Sequence, residues 1–124
     1  YNTEILAKLS SSAVPIIAYL QPQMLPKNFN SLSEKDKIIY NKHKTSNPNY
    51  FEGKQEFYNR ISYNIEKYKN LNSKYFTFYD LSELLSVNEK NEQFFFDHVH
   101  YTHASREIIS ERIFKDLQKI LSKN

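Results

Sequence analysis

The sequence contains no cysteine, no tryptophan and a single glycine, Gly53. Without thiols there is no disulfide, no thiolate nucleophile and no zinc site built on sulfur. The compartment stays open, since a cysteine-free chain is tolerated in reducing and oxidising surroundings alike. One glycine excludes a glycine-rich phosphate-binding loop. No run approaches the roughly 20 apolar residues needed to cross a bilayer, so no transmembrane segment is expected. Charge of one sign is scarce too: 17 Lys+Arg against 14 Asp+Glu leave a net +3. The basic residues are scattered among acids rather than clustered beside stacking aromatics, so no nucleic-acid partner is expected.

What the chain does have is aromatic area. Ten tyrosines and nine phenylalanines in 124 residues are too much to leave in water, which argues for a folded chain rather than a disordered one. The length allows one domain at most. The start, Tyr1-Asn2-Thr3-Glu4, is neither a methionine start nor a signal peptide, and reads as that of a processed, trimmed or incomplete chain.

In order, Ile5, Leu6 and Leu9 place a short amphipathic helix over residues 1 to 11. Ala13 to Leu20 is almost wholly apolar and short, the signature of a strand buried on both faces, as in a parallel sheet covered by helices. Gln21-Pro22 ends it. Gln21 then stands at the strand's C-terminal end, where ligands bind in open α/β sheets, and is a candidate substrate-binding residue. After a loop over Pro26 to Asn30, Ser31-x-x-Glu34 has the spacing of a capping box for a helix to about Lys44, with Ile38, Ile39 and the Lys42 stem facing inward. His43, in its last turn, reads as a cation favoured by the helix C-terminus. Past the Asn47-Pro48-Asn49 turn, Phe57, Tyr58, Ile61, Ile65, Tyr68 and Leu71 recur at helical spacing and read as a core-facing stripe. Tyr75 to Leu81 alternates as a second strand. Asp80 at its end reads as the cap of a short helix over Ser82 to Val87. Thr102 can cap a final helix whose Ile109, Ile113, Leu117, Ile120 and Leu121 share a face, with Lys115, Lys119 and Lys123 on a solvated side.

The chemistry concentrates in Phe94-Phe95-Phe96-Asp97-His98-Val99-His100-Tyr101-Thr102. Three phenylalanines signal burial and then stop at an acid and histidines, as an anchored loop carrying reactive groups would. On a turn, an aspartate three residues before a histidine lets its carboxylate accept the Nδ1 proton and leaves Nε2 to take a proton from another group. Asp97 and His100 have that spacing. The competing reading is a metal site built from Asp97, His98, His100 and His103. His-x-His brings side chains together on a strand, whereas a helix begins at once after Thr102, so no metal is expected there. His98 and His103 read as exposed polar residues, on the loop and in the first turn of that helix.

Phe-Phe-Asp97-x-x-His100-Tyr-Thr, followed by the helix Glu107-Ile108-Ile109-Ser110-Glu111-Arg112-Ile113, resembles the last conserved block of the SGNH (GDSL-type) hydrolases. Ile16-Ile17-Ala18-Tyr19-Leu20-Gln21-Pro22 is similar to the central strand, ending in a Leu-Gln-Pro turn, of some bacterial members. The resemblance implies that His100 is a general base and Asp97 the residue that orients it, in a triad with a serine near the start of the domain. It implies an α/β, flavodoxin-like three-layer sandwich around a parallel sheet, of which residues 1–124 are the C-terminal portion. No Gly-Asp-Ser or Gly-x-Asn-Asp segment is present, and Ser105 stands where members usually carry glycine. The nucleophile and further oxyanion donors are therefore expected upstream, in the missing N-terminal half.

Two strands alone leave open sheet edges, so the physical argument likewise asks for more strands. The expected function is hydrolysis of a carbohydrate, lipid or small acyl ester, with no cofactor, by the full domain. Tyr101 joins Gln21 as a candidate pocket residue. The alternative is a non-catalytic partial hydrolase domain that packs against another module.

Overall fold

The computed structural model describes residues 16–69, 76–86 and 91–122. The helix expected over residues 1 to 11 lies outside them, as do Ala13, Leu71, Tyr75, Val87 and Lys123 and the side chain of Tyr68. The elements are β1 (Ile16–Leu20), a 3-10 helix (Pro26–Ser31), α1 (Glu34–Ser46), α2 (Tyr50–Lys69), β2 (Phe76–Asp80) and α3 (His103–Leu121). The two strands are parallel, with Ile16 opposite Phe76 and Leu20 opposite Asp80, and the Leu81 amide adds a 2.8 Å bond to the Leu20 carbonyl. This is a mixed α/β fold with a two-stranded parallel sheet among the described residues.

Alternation along the strands sends neighbouring side chains to opposite faces. On one face Leu20 and Phe78 pack with Leu25, Tyr58 and Ile61, so α2 covers it. On the other, Tyr19 and Tyr79 stack with ring centroids 5.4 Å apart. Burial raises the Tyr19 hydroxyl pKa, helped by the charge of Asp116 on α3. Ile16, Ile17, Ala18 and Tyr19 are only half-buried, Leu20 alone being buried, so this strand is less covered than its apolar run predicts.

A larger core joins Met24, Leu32, Tyr40, Phe51, Leu85, Phe94 and Phe95. Burying side chains of this size stabilises by about 1.5–3 kcal/mol each, and this cluster fastens the segment after β1, both middle helices and the loop before α3 into one unit. Tyr40 and Phe51 stack at 4.0 Å.

The α1 cap is shifted two residues from the expected one. Ser33, not Ser31, is the N-cap and accepts from the Asp36 amide, because Pro26–Ser31 is itself a 3-10 helix. Ser31-x-x-Glu34 and Ser33-x-x-Asp36 have identical spacing, and the contacts of Asp36 described below select the second. The inward residues of α1 are accordingly Asp36 and Tyr40, with Ile39 half-buried; Ile38 and Lys42 are exposed. On α2, Tyr58 and Ile65 are buried as expected but Phe57 is exposed. The segment after β2 makes turns over Ser82 to Leu85 rather than a helix, and Asp80 caps them by accepting from the Ser82 amide at 2.8 Å. Thr102 caps α3 as expected. Its apolar stripe is only partly covered, Leu121 being 72% exposed, while the buried positions are Ser105 and Asp116. Asp116 pairs with Arg112 at 2.9 Å and Lys119 at 3.7 Å. No helix among the described residues is long and apolar enough to cross a membrane.

Candidate functional site

The loop from Phe94 to Thr102 is closed by its own backbone. Phe95 and Tyr101 form an antiparallel bridge, the Phe96 amide donates to the His100 carbonyl at 2.8 Å, and the Thr102 amide to the Phe94 carbonyl at 3.0 Å. Two hydroxyls reinforce the closure: Thr102 Oγ1 donates to the Gln93 carbonyl at 2.8 Å and Ser105 Oγ to the Phe94 carbonyl. The burial expected of three phenylalanines holds for two. Phe94 and Phe95 are in the core, whereas Phe96 is 65% exposed, because the chain reverses there and cannot turn three successive side chains inward.

Within this loop Asp97 Oδ1 accepts from the Val99 amide at 2.8 Å and the His100 amide at 2.9 Å. Its other oxygen, Oδ2, lies 2.7 Å from His100 Nδ1. The aspartate thus closes an Asx-type turn and meets the imidazole with one carboxylate. The His100 contact, then the two amides, hold the Asp97 carboxyl well below the ordinary carboxylate range. The His100 side chain is 74% exposed, and among the described residues Nε2 has no partner. Hydrogen bonding at Nδ1 assigns the proton there and makes Nε2 the basic atom.

The loop is positioned by a residue that local spacing did not single out. Asp36, at the start of α1, is fully buried. Its Oδ2 accepts from the Phe94 amide at 2.9 Å and from Ser33 Oγ at 2.8 Å; its Oδ1 accepts from the Phe95 amide at 3.0 Å. A buried carboxylate is tolerable only when its lone pairs are satisfied, as they are here.

Of the two candidate pocket residues, Gln21 is exposed just past the C-terminal end of β1, and its carbonyl accepts from the Tyr58 hydroxyl at 3.0 Å. Tyr101 is half-buried. Its hydroxyl donates to the Pro22 carbonyl and lies 3.5 Å from Gln23 Nε2, so it ties the loop to the segment after β1. Burial pushes the Tyr101 hydroxyl up to about 12.

The other histidines go separate ways. His103 is exposed beside Glu107 at 3.2 Å, as a residue of the first helical turn. His98 is not the exposed residue expected: it is half-buried and stacks on His43 with ring centroids 3.8 Å apart, Tyr50 standing edge-on to both. His43 is likewise packed rather than solvated at the helix end, and its buried Nε2 has no hydrogen-bond partner among the described residues. Burial, then the neighbouring His43, push the His98 imidazole below its ordinary value. Signals for this pairing were absent, because residues 43 and 98 meet only through the tertiary fold.

Beside the Asp97–His100 pair lies a groove of about 270 Å³ lined by Ile39, Lys42, His43, Ser46, Phe96, Asp97 and His98. A larger hollow of about 490 Å³, along Glu56, Asn59, Arg60, Tyr63 and Asn64 of α2, contains none of the residues discussed above. The arrangement can accept a proton at an exposed imidazole nitrogen and stabilise the resulting cation with an ionised carboxylate. No family model, curated protein or solved structure matches the chain.

Proposed function

We propose that Asp97 and His100 are the orienting acid and general base of a Ser-His-Asp ester hydrolase of the SGNH type, with the serine supplied from upstream of this chain. The observation that carries the reading is the Asp97–His100 geometry: one carboxylate oxygen held by two backbone amides, the other 2.7 Å from Nδ1, and Nε2 turned to solvent. The aromatic lead-in, the Tyr-Thr that follows and the terminal helix agree with the family resemblance. The exposed apolar residues Phe57, Phe114 and Leu121 are in keeping with further strands and helices packing on this portion, as a three-layer sandwich requires.

In that reaction His100 Nε2 takes the serine proton as Oγ attacks the ester carbonyl carbon. The tetrahedral adduct collapses, the C–O bond to the alcohol breaks, and the imidazolium returns its proton to the leaving oxygen. Water then attacks the acyl-serine with the same base, releasing the acid and regenerating the serine. Asp97 stays ionised throughout and stabilises the imidazolium.

The test is hydrolysis of short p-nitrophenyl esters by the full-length natural protein that carries this chain, with and without His100→Ala. Hydrolysis abolished by the substitution supports the reading. Hydrolysis unaffected by it removes the role given to His100, and none in the parent protein favours the non-catalytic packing module or a substrate that simple esters do not imitate.

A further inference from the structure

Lys54, on α2, reaches across to the loop through a short polar relay. Its Nζ donates to Gln23 Oε1 at 2.8 Å and to the His98 carbonyl at 3.3 Å. The ammonium also lies over the Tyr50 ring, 4.7 Å from its centroid, and 5.7 Å from that of Phe51. Gln23 is buried, and its Nε2 continues to the Tyr101 hydroxyl at 3.5 Å. One cation thus grips the backbone two residues before His100 and, through Gln23, the residue just after it. Among the described residues it bonds neither Asp97 nor His100, so it acts on the pair only through the loop.

We propose that Lys54 is a positioning residue, holding the Asp97–His100 loop in register through the His98 carbonyl and Gln23. Its influence on turnover rests on the hydrolase reading above; its influence on the loop does not.

A lysine placed only for packing would not need its charge there. Solvating an ammonium with a carbonyl, an amide oxygen and two aromatic faces instead of water is costly, and no carboxylate bonds it among the described residues. Burial accordingly brings Lys54 down to about 8. It touches Tyr50 and Phe51 on its own helix, Gln23 after β1 and the His98 carbonyl on the loop; the His98 ring stacks on His43 of α1. None of these is a carboxylate, and Asp97, next to His98 in the chain, is committed to His100 and two amides.

The experiment compares the full-length natural protein with its Lys54→Met and Lys54→Arg forms by ester hydrolysis and by NMR of the His100 Nδ1 proton and the Val99 and His100 amides. Misplacing a catalytic group by an ångström costs up to about 10²-fold, so kcat is expected to fall about 10- to 100-fold in Lys54→Met with KM within about twofold, and to recover in large part in Lys54→Arg. The Nδ1 proton and both amides are expected to exchange faster in Lys54→Met, and the thermal midpoint to move little. Unchanged exchange of these protons in Lys54→Met overturns the proposal, as does equal loss of turnover in the Met and Arg forms. Should the parent protein hydrolyse no ester, the hydrolase reading falls, and the exchange of these protons alone decides the role of Lys54.

Discussion

Asp36 and Phe94 are 58 positions apart and meet in a 2.9 Å hydrogen bond, the buried carboxylate accepting the backbone amide. With the Phe95 amide on its other oxygen, this one side chain sets where the Asp97–His100 loop leaves the core. Hydrogen bonds to a charged group contribute about 1.5–3 kcal/mol each, so Asp36→Ala is expected to destabilise by about 3 kcal/mol or more. Asp36→Asn is expected to lose less, since it retains one acceptor. Urea denaturation of the full-length protein checks both, and a loss under about 1 kcal/mol for the alanine form contradicts the role assigned to the carboxylate.

Asp97→Asn is expected to separate chemistry from folding. Its amide oxygen can still accept from Val99 and His100, so the turn survives and the thermal midpoint holds. The imidazolium loses its counter-charge, and turnover should fall by about 10³- to 10⁴-fold. Parallel melting curves and ester kinetics decide; equal losses in both would make Asp97 a purely structural residue.

The pH response of the same turn follows from the direction of the Asp97 shift. A carboxyl whose folded value lies below its unfolded one contributes stability above the unfolded value, near 3.9, and loses it as pH falls through the folded value. Since His100 and two amides depress Asp97, the carboxylate should stay ionised as pH drops through the ordinary aspartate range and take up its proton, weakening its contacts, only below it. Amide shifts of Val99 and His100 followed from pH 7 downward report this. A transition centred near pH 4 would refute it.

Tyr101→Phe removes the hydroxyl that bonds the Pro22 carbonyl but keeps the ring, 5.7 Å from Phe95. The expected cost is about 1 kcal/mol, with a fall in turnover, because the loop loses a tether to the segment following β1. Denaturant midpoints and ester kinetics on one preparation test the two effects together.

Residues 1–124 expressed alone are expected to self-associate. Phe57, Phe114 and Leu121 stand in solvent, and β1 and β2 have one hydrogen-bonded neighbour each among the described residues. Sedimentation velocity over a concentration series, with Phe114→Ser as the comparison, checks this. A monomer that melts cooperatively would defeat the expectation.

Features written in short-range spacing were legible in the chain. The Asp-x-x-His turn, the Thr102 cap, the Asp80 cap and the two strands each depend on residues within a few positions of one another. Features that needed a distant partner were not. Nothing near Asp36 announces the amides of Phe94 and Phe95, and nothing near Lys54 announces the His98 carbonyl. The α1 cap shows the limit most clearly: two serines at matching distances from two acids offered equal local signals, and only burial of Asp36 separates them. The apolar stripe of α3 misled in the other direction, since periodicity marks a face without saying what covers it.

The turn at Asp97 draws on Val99 for its backbone N–H alone, and the Val99 side chain stands at the surface. Position 99 should therefore be permissive in evolution and in mutagenesis, accepting small, large, polar or charged residues with little effect on the pair. Proline is the exception, for it has no proton to give Asp97, and a chain that drifted to proline there would lose the turn while keeping both members of the pair.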